Sequence, residues 1–119
     1  MTAMAGPMRV NPSRLNALQL KTLAILQALA RERAFAHPPD PDGTVLIHTL
    51  PYAHGDHFHI GRAVVSTRDA TGLANRNVMN ALVRKGLVLG GPAGMPILTS
   101  AGLGYDTGIA ESILHGAEH

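Results

Sequence analysis

The sequence predicts an α+β fold, a three-helix core with a small β-hairpin, on three observations. Leu15, Leu18, Thr22, Ile25, Leu26 and Leu29 recur at three- and four-residue spacing, the stripe of an amphipathic helix. A second stripe, Ala74, Val78, Ala81 and Leu82, runs up to Lys85-Gly86, where cations and a glycine close a helix. Leu87-Val88-Leu89 and Ile97-Leu98-Thr99 then flank a Gly- and Pro-rich tip at 90–96, the pattern of a hairpin.

With 119 residues the chain holds one core, because two would each be too small to be stable. Its 45% hydrophobic content excludes wholesale disorder. Two Tyr, two Phe and no Trp leave the core to aliphatic side chains. The absence of cysteine excludes disulfides, zinc ribbons and thiol nucleophiles. Apolar runs fall short of the roughly 18 residues that span a bilayer, and residues 1–10 lack a continuous apolar signal segment. A soluble, cytoplasmic protein without membrane contact is therefore expected. Gly6, Pro7 and Pro12 mark residues 1–12 as a flexible arm, with a single domain over 13–119.

The first helix is placed at 16–34, where Asn16 and Gln19 have capping-box spacing and Leu15 can staple the entry. Three prolines between His37 and Gly43 end it. Thr44 to Leu50 reads as a strand, followed by a polar connection from Tyr52 to Phe58. Residues 60–70 fit either a short helix or a strand pairing with 44–50, and the adjacent valines with Gly61 disfavour the helix. Thr71 is positioned to cap a helix over 71–85. Leu87 and Leu89 are expected to turn back onto that helix's apolar face. Thr99 or Ser100 can cap a final helix broken by Gly102, Gly104 and Gly108, and 109–115 reads as helical.

Charge is unevenly spread. Residues 59–90 carry Arg62, Arg68, Arg76, Arg84 and Lys85 against Asp69 alone, a local net of +4, while the other residues carry five basic and seven acidic side chains. This asymmetry points to an anionic partner for that segment. The run Val78-Met79-Asn80-Ala81-Leu82-Val83-Arg84-Lys85-Gly86-Leu87-Val88, followed by Leu98-Thr99-Ser100-Ala101-Gly102, resembles the recognition helix, wing and following segment of winged helix-turn-helix transcriptional regulators of the multiple-antibiotic-resistance type. The resemblance covers about a quarter of the chain. It implies a winged helix-turn-helix, double-stranded DNA as partner, and a homodimer paired through 16–34 and 109–115. By the same resemblance, helix 71–85 is the reading element. Arg76 would address guanine, and Asn77 and Asn80 would address adenine or phosphate. Arg68, Arg84 and Lys85 would contact the backbone, with Thr71 at the helix start. The tip Gly91 to Pro96 carries no cation, which suits an alternative in which the domain binds another protein and no nucleic acid.

His54-Gly55-Asp56-His57-Phe58-His59, with His48 upstream, is the most unusual segment. In an extended chain His57 and His59 share one side, and with His54 or Asp56 they offer three ligands to Zn²⁺ or Ni²⁺. That makes a metal-responsive regulator a third reading; an exposed polar loop is the plainer account of the same residues. No nucleophile elbow, phosphate loop or paired-carboxylate setting is present, so no catalytic residues are expected and the chain reads as a non-enzyme.

Overall fold

Residues 9–116 are described in a computed structural model of the chain. Of the expected arm and domain, residues 1–8 and 117–119 lie outside the described residues. Asn11 is tied down: its amide donates to Asp106 O at 2.7 Å, and its Oδ1 accepts from the Tyr105 hydroxyl at 2.6 Å and from Leu15 N.

Helix α1 spans Ala17–Ala30 and begins as its sequence requires. Asn16 Oδ1 accepts from Gln19 N at 2.9 Å and Gln19 Oε1 accepts from Asn16 N at 3.0 Å, a complete capping box. It ends four residues earlier than expected. Phe35 and Ala36 amides fold back onto Glu32 O, and Phe35 O then accepts from His48 N, drawing the chain into pairing with the next segment. Every residue from Thr22 to Gln27 is buried, so α1 is enclosed on all sides.

Two small antiparallel sheets surround it. In one, β1 (Val45–Leu46), β5 (Pro96–Leu98) and β4 (Val88–Gly90) lie in the order β1-β5-β4, with Val45 and Val88 both opposite Leu98. In the other, β2 (His57–Ile60) pairs with β3 (Ala63–Ser66) through a two-residue turn at Gly61-Arg62. Helix α2 spans Arg76–Arg84, and two four-residue helices follow β5: α3 (Ser100–Leu103), capped by Thr99, and α4 (Ala110–Ile113).

The three-helix winged helix-turn-helix core is not formed. The described residues make a small α+β fold of four helices and two antiparallel sheets. Where a helix-turn-helix needs its second helix, the chain forms the β2–β3 hairpin and then two short 3₁₀ turns, Thr67–Asp69 and Thr71–Ala74. The physical reason is local. Gly61 takes φ +57°, which closes a tight turn, and Phe58, Ile60, Ala63 and Val65 alternate into the core, a period-2 pattern that a helix cannot satisfy. Nor does 60–65 pair with 44–50, because β1 takes β5 as its partner.

The core joins Leu23, Ile25, Leu26 and Leu29 of α1 to Ile47, Phe58, Val65, Leu82, Leu98 and Ile113. Leu23, Ile25, Leu26 and Leu29 of α1 and Ile113 of α4 thus bury their side chains inside their own chain. Among the described residues no helix is long and apolar enough to cross a membrane.

Candidate nucleic-acid interface and histidine face

Helix α2 starts one turn later than the sequence suggested. Thr71 lies in a 3₁₀ turn and makes no capping bond; the cap is Asn75, whose Oδ1 accepts from Asn77 N at 3.0 Å and Val78 N at 3.2 Å. Residues 71–74, a 3₁₀ turn, precede the helix, with Gly72 buried. Gly72 lies directly against Thr22 of α1, an approach with no room for a side chain. The C-terminus is a Schellman turn: Gly86, at φ +75°, donates to Val83 O, and Leu87 donates to Leu82 O, both at 3.0 Å.

Val78, Ala81 and Leu82 anchor α2 in the core. At 100° per residue, Val83, Arg76, Asn80, Arg84 and Asn77 fall within an arc of about 120° on its other side, and all five are exposed. No acidic residue lies on the helix. The acidic side chain nearest in sequence, Asp69, is paired with Lys21 at 3.0 Å, which removes its charge from competition. The structure therefore groups Arg76, Asn77, Asn80 and Arg84 on one face. Arg68 and Thr71 are also exposed but sit in the preceding 3₁₀ turns, outside the helix. Lys85 is turned elsewhere, its Nζ donating to Ser13 O at 2.8 Å.

Beside this polar arc runs an apolar groove of about 210 Å³, walled by Leu50, Leu73, Met79, Val83, Leu89 and Met95. Val83 is 42% exposed and Leu89 45%. Leu89 does not turn back onto α2. Strand alternation buries Val88 and sends Leu89 outward, and Leu87 fills the inner position. The exposed valine was visible in the helical spacing of α2, whereas the groove needs the hairpin and residue 50 to be brought beside it. The hairpin tip, Pro92–Gly94, is uncharged.

The histidines take two places. His37 and His48 stack edge-on with ring centroids 4.9 Å apart. His54, His57 and His59 share the outer face of the β2–β3 hairpin, with centroids 6.3 Å (54–57), 5.7 Å (54–59) and 5.1 Å (57–59) apart. Asp56 Oδ1 lies 3.3 Å from His57 Nδ1. As the side chains stand, no three His, Asp or Glu groups among the described residues have donor atoms arranged to hold a metal ion.

Comparison of the chain with the profiles of known protein families, with curated proteins and with solved structures finds no match.

Proposed function

We propose that this chain is a cytoplasmic DNA-binding regulator that contacts the duplex with the exposed arc of α2. The observation that carries the reading is the acid-free helix face that unites Arg76, Asn77, Asn80 and Arg84. Arginine suits bidentate contact with guanine O6 and N7, and asparagine suits adenine N6 and N7. A helix of nine residues anchored by Val78, Ala81 and Leu82 presents these groups on a rigid body. Arg68 adds a phosphate contact; Lys85 joins only if it leaves Ser13. Two copies would bind a duplex with two half-sites, a stoichiometry read directly from the complex.

The test is anisotropy of a labelled random duplex across a salt series, with the wild type, Arg76→Ala and Asn80→Ala. On a random duplex, where no particular guanine is offered, Arg76 joins Arg68 and Arg84 as a backbone-reaching cation, about three per chain, so log K should fall with log salt at a slope of about −2 to −3. Arg76→Ala should flatten the slope by about one per chain, while Asn80→Ala should weaken binding and leave the slope unchanged. No binding at low salt, or binding indifferent to Arg76→Ala, refutes the reading.

The apolar groove supports a second reading, a protein-interaction module that binds no nucleic acid. It requires a stoichiometric protein partner that Leu89→Glu releases, together with no DNA affinity at low salt.

A further inference from the structure

The histidine face of the β2–β3 hairpin does not enter the reading of α2. Its geometry begins with the turn His54-Gly55-Asp56-His57. Gly55 sits at φ +70°, and His54 N donates to His57 O at 2.6 Å, which sets the two histidines directly opposite each other. Opposed residues of an antiparallel pair share a face. Alternation along β2 then brings His59 to the same face, while Phe58 and Ile60 point into the core. Beneath the imidazoles the backbone is well braced: Val64 exchanges both backbone hydrogen bonds with His115, at 2.7 and 2.9 Å, and the Thr67 amide donates to Asp56 O at 2.8 Å.

Three imidazoles on one tetrahedral ion, with metal–nitrogen bonds of about 2.1 Å, have ring centroids about 5 Å apart. The separations of 5.1, 5.7 and 6.3 Å approach this value without any backbone movement. What is lacking is the aim of the nitrogens. The rings are inclined to one another by 40° to 86°, and their donors do not converge as they stand. His54 and His59 are exposed and His57 half-buried, so their rings have room to turn. The Asp56 carboxylate beside His57 Nδ1 is the kind of outer partner that holds a ligating imidazole in one tautomer, leaving Nε2 for the ion.

We propose that His54, His57 and His59 form a three-imidazole site for a borderline divalent cation of the Zn²⁺ class, with Asp56 as a positioning residue. Neutral imidazole matches such ions, and three protein ligands leave a fourth position open to water or an added donor.

The experiment is isothermal titration of the full chain with zinc chloride in a non-chelating buffer, alongside ¹⁵N spectra of the imidazoles. We expect one equivalent of Zn²⁺ per chain and shifts confined to His54, His57 and His59. His57→Gln and His59→Gln should each weaken binding at least tenfold, and Asp56→Asn by a smaller factor. His48→Gln, whose ring contacts are with His37 and Thr49 and not with the proposed ligands, should leave binding unchanged. Circular dichroism confirms that each variant is folded. Absence of saturable binding overturns the proposal, as does binding that survives both His57→Gln and His59→Gln or is lost in His48→Gln. None of these outcomes depends on whether α2 binds DNA.

Discussion

Gln27 is a polar side chain inside the most enclosed stretch of the chain, only 6% exposed. Its Nε2 donates to Gly102 O and Tyr105 O, both at 2.8 Å. Those carbonyls belong to the end of α3 and the segment after it, where a helix leaves acceptors without partners of its own. Gln27→Met keeps the length and nearly the volume of the side chain while removing both donors. Gly102 O retains a long bond from Tyr105 N at 3.4 Å, so it loses less than Tyr105 O. A buried acceptor left unsatisfied costs about 1–3 kcal/mol. One full and one partial loss therefore amount to about 2–4 kcal/mol, a large share of the roughly 5–15 kcal/mol that stabilises a small domain. The midpoint of thermal unfolding should drop by roughly 10 °C. Urea unfolding followed by circular dichroism measures the free-energy change, and amide exchange should show residues 102–113 losing protection first. Gln27→Glu should be worse at neutral pH, because a carboxylate would face two carbonyl oxygens. A loss below about 1 kcal/mol for Gln27→Met, with unchanged exchange near Tyr105, would show that these carbonyls find water and that Gln27 does not pin the C-terminal segment.

Two glycine substitutions separate steric from conformational cost. Gly72→Ala would drive a methyl into the Thr22 side chain and should cost about 1–3 kcal/mol, whereas Gly86→Ala meets open space and pays mainly for its left-handed backbone, about 1–2 kcal/mol. Urea midpoints check both values, and only Gly72→Ala should be partly rescued by Thr22→Ala. Near β1, the Thr44 hydroxyl at 2.7 Å and the Thr44 amide at 3.1 Å hold the Asp42 carboxyl below its ordinary value of 3.8. Because the folded value is depressed, the stabilisation is present above pH 3.8 and is lost as pH falls through the folded value. In Thr44→Val, carbon-detected titration should find the Asp42 carboxyl moved back up, and an unchanged titration would refute the assignment.

The parts of the fold that were readable in advance are those governed by neighbours in sequence. Asn16 and Gln19 form their capping box, Gly86 ends α2, and the runs around the tip at 90–96 pair as a hairpin. The errors lie where distant segments compete. Residues 57–66 carry two signals, β-branched alternation and a position where the resemblance calls for a helix, and the turn at Gly61 decided for the strand. Thr71 has a good capping side chain, but residues 71–74 form a 3₁₀ turn packed on Thr22, and the helix starts at the Asn75 cap. For the site, the residue types of α2 were legible and their sharing of one arc follows from helical spacing. That Lys85 points to Ser13 instead was not, since that bond joins residues 72 apart.

The sequence alone determined that the chain is α+β with an aliphatic core, where its first helix begins, which helix carries a cationic face free of acids, and that histidines gather between 54 and 59. Each follows from residue type and short-range periodicity, because caps, turns and amphipathic stripes are satisfied within a few residues of chain. Only the tertiary structure decided that no three-helix winged core forms, that α1 is enclosed so completely that Gln27 must find its partners across the fold, and that Leu89 faces outward into a groove. It also decided that His54 comes within 6 Å of His59. Those outcomes depend on which buried surfaces and backbone groups meet across long sequence separations, and a one-dimensional pattern does not encode that choice.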